Sequence, residues 1–181
     1  MKDNRSTAWA AIALAEGGSA VSDRSAAADP GGTTRWGISL RFADAIGLDL
    51  DGDGVTTRAD ILLVTEPVAL GLFERHFWGP VRGDDLPAGV DLVTADMAFL
   101  QGGASARRLL QQAAGVTADG IIGPRTLAAV QAANAADLIE EMTARRIQYL
   151  ASLSNWGHNA GGWTRRALRM MRAGMVLAAE Q

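Results

Sequence analysis

Helix start and stop signals recur along almost the whole of this chain, whereas the alternation of apolar and polar residues that is typical of β-strands is almost absent. Glycine pairs and Gly-Pro steps bound segments in which apolar residues recur every three or four positions. Alanine and leucine, which favour helices, are abundant in an apolar fraction of 48%. The sequence therefore predicts an all-α or α-dominated fold.

The same signals predict individual helices. The first is expected from Ser6 to Glu16, with Gly17-Gly18 as its C-terminal cap, because glycine adopts the left-handed backbone that ends many helices. A loop rich in Gly, Ser and Ala follows to about Trp36, and Ser39 is expected to cap the next helix. Later helices are expected over about 65–78, 92–103 and 105–115, from Pro124, over 137–149 with Asp137 and Glu140 as a capping box, and after Gly161-Gly162-Trp163.

The chain of 181 residues shows no repeat and no flexible linker, so we expect one domain over 1–181, with an N-terminal lobe over 1–90 and a C-terminal helical lobe over 91–181. Cysteine is absent, which excludes disulfides, thiol nucleophiles and thiolate metal sites. No apolar run approaches the roughly 20 residues that cross a bilayer. The short apolar stretch from Ala8 to Ala15 is better explained as an amphipathic helix than as a signal peptide, so we expect a soluble chain made in the cytoplasm.

Charge is distributed unevenly along the chain. The net charge is −3, with 8 basic and 15 acidic side chains in residues 1–100, and 9 basic and 5 acidic ones in residues 101–181. A net negative charge disfavours a nucleic-acid partner. The basic second half could face a polyanion, although a solvated helical surface explains Arg165, Arg166, Arg169 and Arg172 equally well.

A carboxylate ends the apolar stripe of the first predicted helix. Trp9, Ile12, Ala13 and Glu16 stand at i, i+3, i+4 and i+7, and therefore share one face. Partial burial and the negative end of the helix dipole both favour the protonated form of such a group, which is the form that a general acid needs. The alternative is an ordinary helix-end glutamate that faces solvent.

Two sequence blocks resemble a known family. Glu16-Gly17-Gly18 and the segment Asp29-Pro-Gly-Gly-Thr-Thr-Arg-Trp-Gly-Ile38 resemble the N-terminal signature of glycoside hydrolase family 108, the N-acetylmuramidases of phage endolysins and related secretion-associated lysins. The resemblance covers most of the chain. Further segments follow in family order: His76-Phe77-Trp78-Gly79-Pro80, Leu86-Pro87, Asp96-Met97-Ala98-Phe99, Leu109-Leu110-Gln111, Asp119-Gly120-Ile121-Ile122-Gly123-Pro124 and Gly162-Trp163-Thr164-Arg165-Arg166.

The resemblance implies a lysozyme-like fold and a peptidoglycan hydrolase that cleaves glycan strands between N-acetylmuramic acid and N-acetylglucosamine, with Glu16 as the catalytic acid. The turn from Asp119 to Pro124 also resembles that of small peptidoglycan-binding modules, which suggests the same role for the C-terminal lobe. The alternative is a purely structural part of that lobe, since Asp-Gly and Gly-Pro are turn and helix-start signals in any fold. Such an enzyme would act on the cell wall in the periplasm or outside, after delivery by a holin-like, phage-like or other route that needs no signal peptide.

Glycosidic cleavage usually pairs a carboxylic acid with a carboxylate, and the matched block makes Asp29 the second candidate, with Asp23 in reserve. Asp29 also fits a purely structural turn. The Thr34 hydroxyl is expected to hold a water or to orient Asp29. Flat aromatic faces suit stacking on sugar rings, which makes tryptophans candidates for substrate contacts. Trp78 is an exception, because we expect it in the core. The candidate substrate-binding residues are Gly31, Gly32, Trp36, Asp96 and Trp163.

The chain departs from the family pattern at two positions. Ser19 stands where an aromatic residue is common, in a loop about four residues longer than usual, and Leu100 stands where an asparagine often stands. Each change would remove a sugar contact.

Two other functions remain open. A lytic transglycosylase would need only the acid/base glutamate and would release 1,6-anhydro products. A peptidoglycan-binding or structural virion protein would bind sacculi without releasing reducing ends. Other chemistries have little support, because His76 and His158 are isolated and no nucleophile-elbow serine or phosphate loop is present.

The segment from Asp49 to Asp60 has the length and spacing of a twelve-residue EF-hand-type loop, and predicts a structural Ca²⁺. Gly54 takes the sharp turn at position 6, Val55 offers its carbonyl and Thr57 acts through a water. The alternative is a loop in which Asp and Gly are only turn formers. The predicted ligands, at positions 1, 3, 5, 7, 9 and 12, are Asp49, Asp51, Asp53, Val55, Thr57 and Asp60, the last of which is shorter than the usual Glu.

Overall fold

The structure is a computed structural model, and it describes residues 4–23 and 32–180. These residues form mainly α-helices, which confirms the predicted α-dominated fold, with one antiparallel hairpin of β1 (Thr34–Arg35) and β2 (Ile38–Ser39). None of the helices described here has the length and hydrophobicity required to cross a membrane. The α-helices are α1 (Asn4–Ala15), α2 (Leu40–Ala45), α3 (Arg58–Leu63), α4 (Glu66–Phe73), α5 (Val90–Gln101), α6 (Gly103–Ala113), α7 (Pro124–Ala132), α8 (Ala135–Ala151) and α9 (Trp156–Ala179).

The chain divides into two compact units. The smaller unit, Ile12–Leu72, contains the end of α1, the hairpin, α2, α3 and most of α4. The larger unit combines Met1–Ala11 with Phe73–Gln181. These units differ from the lobes expected at 1–90 and 91–181. One physical reason is a hydrogen bond of 2.9 Å from Asn4 Nδ2 to Asp91 Oδ2, which joins residues that are far apart in the sequence.

The end of α1 follows the predicted stop signal. Gly17 has a φ of +85°, a left-handed conformation that glycine adopts without strain. Its N–H donates to the Leu14 carbonyl at 3.3 Å, and the Gly18 N–H donates to the Ala13 carbonyl at 2.9 Å. This pair of bonds is the Schellman motif, and it satisfies carbonyl groups that would otherwise lack partners at the helix end. Glu16 is the last residue before the reversal.

Other helix boundaries agree only in part with the predictions. Ser39 caps α2 by accepting a hydrogen bond from the Phe42 N–H at 3.2 Å, and Pro124 is the first residue of α7. The capping box predicted for α8 is wrong, because the Asn134 side chain accepts from the N–H groups of Ala136 and Asp137, at 2.9 and 3.1 Å. Asp137 therefore lies in the first turn, where its charge favours the helix dipole.

The last helix also begins earlier than predicted. Helix α9 starts at Trp156, so that Gly161 and Gly162 lie inside it rather than before it. A glycine in a helix interior costs roughly 0.5–1 kcal/mol relative to alanine. Packing of α9 against α5 and α8, with Met170 and Gly174 buried, offsets that cost.

Trp78 lies in the core, as predicted. The helix expected over 65–78 is α4 followed by a π-helical turn, Glu74–Trp78. The Trp78 side chain is buried, and its indole N–H donates to Asp84 Oδ1 at 3.0 Å. A Cβ atom at Gly83 would lie 2.3 Å from the indole ring, so the ring packs directly on the glycine backbone.

Candidate functional site

Glu16 lies at the C-terminal end of α1, at the edge of an apolar face. Trp9, Ile12 and Ala13 are buried, and Glu16 is partly exposed. The predicted stripe is therefore present, and it ends in a carboxyl group at the boundary between apolar surface and solvent.

Backbone hydrogen bonds join the chain after Glu16 to the hairpin. The Trp36 N–H donates to the Gly18 carbonyl at 3.1 Å. Ser22 and Thr34 exchange two backbone hydrogen bonds, of 2.9 and 3.0 Å. The two sequence blocks, separated by a loop in the chain, are thus paired side by side in the smaller unit.

Trp36 occupies a strained position in this pairing. Arg35 pairs with Ile38, which leaves Trp36 and Gly37 as a two-residue turn, with φ values of +54° and +74°. Such turns favour Asn or Gly at the first position, and a left-handed conformation costs other residues about 1–2 kcal/mol. A Cβ atom at Gly18 would lie 3.8 Å from Trp36 Cζ3, so the indole lies close to the Glu16-Gly17-Gly18 block. Strain of this kind is often kept at functional sites.

Asp23, the reserve candidate for the second carboxylate, has both oxygens engaged. Arg58 donates to Asp23 through Nε and Nη2, at 3.2 and 2.7 Å, and the Thr33 hydroxyl donates at 2.7 Å. These hydrogen bonds, first from Arg58 and then from Thr33, lower the pKa of Asp23 to about 2. The carboxylate therefore ties the loop before the hairpin to the start of α3, which argues against Asp23 as a catalytic base.

Thr33 is a site residue that the sequence interpretation missed. It is buried, whereas Thr34 is partly exposed and its hydroxyl lies 3.5 Å from the Gly32 carbonyl. Side chains alternate between the faces of a strand, so only one of two adjacent threonines can point towards Asp23. Two adjacent threonines show no alternation in the sequence, so only the hairpin distinguishes them.

The remaining residues of the second block are only partly described. Asp29 and Gly31 lie outside the described residues. Gly32 has a φ of +70°, and a Cβ atom there would contact Leu40 Cβ at 3.6 Å, so this position favours glycine.

Asp96 has a different role from the one predicted, because no part of its side chain is exposed to a substrate. In the larger unit, Arg146 Nη1 donates to Asp96 Oδ2 at 2.6 Å, and Arg166 donates to Oδ1 from Nε and Nη2, at 2.9 and 2.7 Å. Burial alone would raise the pKa of Asp96, but the two guanidinium groups outweigh it and lower the pKa. Asp96 is the shared anion of an ion cluster that joins α5, α8 and α9.

Trp163, also in the larger unit, is partly exposed on α9. Its ring lies 6.3 Å from that of Trp156, with the two planes tilted by 44°. The predicted stacking role for Trp163 is compatible with this exposure.

Residues 49–57 form a loop between α2 and α3, as predicted, and Asp60 lies in the first turn of α3. Oxygen atoms of Asp49, Asp51 and Asp53 lie within 4.8 Å of one another, and all three side chains are exposed. The Gly54 N–H donates to Asp49 Oδ2 at 3.0 Å, and Gly54 has a φ of +86°. A backbone hydrogen bond lowers the pKa of Asp51, but desolvation and its acidic neighbours outweigh it, and the net pKa is raised.

Asp60, the predicted twelfth-position ligand, is placed differently. It is buried, and its oxygens accept from the N–H groups of Leu50 and Thr57, both at 2.7 Å. Thr57 is the N-cap of α3 and forms a capping box with Asp60. Within the described residues, the close group of carboxylates contains the three other aspartates and not Asp60. The short Asp side chain is thus used to close the loop.

The chain is similar to two known protein families and to a solved structure. Residues 9–102 match the family model Glycosyl hydrolase 108, and residues 105–171 match the model Predicted Peptidoglycan domain. The solved structure of Brucella abortus SagA has 34% sequence identity and a TM-score of 0.86, over 98% of this chain and 97% of that chain. No match was found among curated proteins.

Proposed function

Because the chain belongs to the glycosyl hydrolase 108 family and is a peptidoglycan hydrolase, we propose that it is a muramidase with Glu16 as the general acid. The bond cleaved is the one between N-acetylmuramic acid and N-acetylglucosamine. The observation that carries the proposal is the pairing of Gly18 with Trp36, which holds the indole against the backbone of the Glu16-Gly17-Gly18 block, where the Glu16 side chain is partly exposed. Cleavage of a sugar chain uses a carboxylic acid to protonate the leaving oxygen, and a flat apolar face suits stacking on the sugar ring.

In the proposed reaction, the protonated Glu16 carboxyl transfers its proton to the glycosidic oxygen as the bond to the sugar carbon breaks. Asp29 is the proposed carboxylate across the scissile bond. A separation of about 5–5.5 Å between the two groups would make Asp29 a nucleophile, and about 6.5–9.5 Å would make it a base that activates water.

The other site residues have supporting roles in this proposal. Trp36 stacks on a sugar ring, and Gly31 and Gly32 let the glycan approach the backbone closely. Thr34 has a hydroxyl with only a weak internal contact, which leaves it able to orient Asp29 or a water. Trp163 is proposed as a second stacking surface.

Mass spectrometry of muropeptides from digested sacculi tests the function. A muramidase leaves reducing N-acetylmuramic acid ends, a lytic transglycosylase leaves 1,6-anhydro ends, and a binding protein releases neither. We expect Glu16→Gln to lower kcat by at least about 100-fold, because the variant keeps its shape but has no proton to transfer.

The matched control for this substitution is Glu66→Gln, at an exposed position in the first turn of α4. It changes the same functional group and should retain wild-type turnover. Near-normal turnover by a folded Glu16→Gln protein would remove Glu16 from the mechanism.

We also propose that the loop from Asp49 to Thr57 binds a structural Ca²⁺. Three carboxylates with oxygens within 4.8 Å of one another repel each other without a cation, and carboxylate oxygens are the ligands that Ca²⁺ prefers. The Val55 carbonyl and a water held by Thr57 complete the proposed set, while Asp60 holds the ends of the loop together. The ion has no part in the chemical step.

A further inference from the structure

A groove of about 500 Å³ lies on the larger unit, between α6 and α8. It falls entirely within residues 105–171, the segment that matches the peptidoglycan domain. The groove is lined by Ser105, Arg108, Leu109, Gln112, Arg145, Gln148 and Tyr149.

Helical spacing places these side chains together. Four of them stand at i, i+3, i+4 and i+7 on α6, and the other three at i, i+3 and i+4 on α8, so each helix presents one continuous face. Leu109 is buried and Tyr149 packs partly against the hydrophobic core, which makes these two the rigid base of the groove. The arginine and glutamine side chains form its sides.

The groove has hydrogen-bond donors that the protein leaves unused. Arg145 pairs with Glu141 through Nε at 2.7 Å, and among the described residues its two terminal nitrogens form no hydrogen bond or ion pair. Arg108 donates no hydrogen bond to a described residue, although it contributes weakly to lowering the pKa of Asp119, behind the hydrogen bond from Gln111. Among the residues that the structure describes, no acidic side chain lines the groove itself.

We propose that this groove binds the free carboxylates of the peptidoglycan stem peptide. The proposal rests on the proposed function, since it names the part of the same substrate that the C-terminal segment holds. A guanidinium group matches the two oxygens of a carboxylate, and such charge-assisted bonds are stronger than neutral ones. The glutamine amides and the Tyr149 hydroxyl suit the peptide bonds between those carboxylates. The excess of basic residues after residue 100 favours the same ligand.

Two soluble probes test the proposal: a disaccharide that carries an acidic stem peptide, and the same disaccharide without its peptide. We expect the full-length protein to bind the first more tightly than the second. In the Arg108→Gln/Arg145→Gln variant, Kd for the peptide-bearing probe should rise about tenfold, because two charged hydrogen-bond partners are lost. Kd for the peptide-free probe should not change.

The matched control is Arg169→Gln/Arg172→Gln, which removes the same charge from two exposed residues of α9 outside the groove. Equal binding of the two probes by the wild-type protein, or equal weakening in the control variant, would overturn the proposal. Tight binding of the peptide-bearing probe without release of reducing ends from sacculi would instead refute hydrolysis and leave the groove assignment standing.

Discussion

Asp23 and Asp29 are the two candidates for the second carboxylate, and the contacts of Asp23 argue against it. Both oxygens of Asp23 accept hydrogen bonds from Arg58 and Thr33. Asp29 belongs to the block that resembles the family signature, and its structure is not described. We therefore expect Asp29→Asn to lower kcat by about 100-fold or more, and Asp23→Asn to lower it only a few-fold. Steady-state kinetics on solubilised glycan strands measure both, and the reverse order would move the second carboxylate to Asp23.

The low pKa of Asp23 adds a pH dependence to this comparison. Its folded-state pKa of about 2 lies below the ordinary value of 3.8, so its ion pair stabilises the fold above the ordinary value and is lost as the pH falls towards 2. Asp23 stays ionised throughout the range in which a glutamic acid titrates. The acid limb of the pH–rate profile should therefore be the same in Asp23→Asn as in the wild type.

Among the elements, the loop between α2 and α3 is the one whose stability should depend on a ligand. Chelator-treated protein should show a calorimetric signal on addition of Ca²⁺ and a melting temperature that rises by several degrees at saturation, since a ligand that binds only the folded state stabilises it. Asp51→Asn should reduce both effects. Asp44→Asn, an exposed change on α2 outside the loop, is the matched control. The absence of both heat and a shift in melting temperature would show that the loop binds no calcium.

The raised pKa of Asp51 gives the sign of the pH effect in the ion-free protein. A carboxyl group whose pKa is raised on folding contributes stability at low pH and loses it as the pH rises through the folded-state pKa. Calcium should therefore stabilise the protein most at neutral pH, where the aspartates repel one another, and least in acid, where protons compete with the ion.

At the scale of the molecule, the ion cluster around Asp96 is expected to dominate the stability of the larger unit. Asp96→Asn would leave Arg146 buried without its anion, and should lower the free energy of unfolding by about 3–5 kcal/mol. Urea denaturation measures this, with the surface change Arg169→Gln as control. Because the pKa of Asp96 is lowered, its contribution is present above the unfolded pKa and is lost in acid. A folded Asp96→Asn protein of normal stability but reduced activity would restore the substrate-binding role.

Features that depend only on neighbouring residues could be predicted from the sequence. They include the ends of several helices and the main catalytic candidate. Gly17, Ser39 and Pro124 act on the backbone within a few positions, so their patterns were sufficient to predict where helices end or begin. The motif block around Glu16 likewise needs no tertiary information. The predicted start of α8 is wrong because Asn134 and Asp137 both fit an N-cap, and only the hydrogen bonds distinguish them.

Long-range contacts decided the rest. Asp96 became a buried structural anion because helices that carry Arg146 and Arg166, 50 and 70 residues away, pack around it. Thr33 rather than Thr34 reaches Asp23 because the hairpin orients the two side chains. That hairpin is too short to leave an alternating pattern in the sequence. The sequence by itself determined the helical class, the family and the acid at the end of α1, since these depend on local spacing and motifs. Only the tertiary structure decided which polar side chains are buried and paired, because burial depends on which surfaces meet.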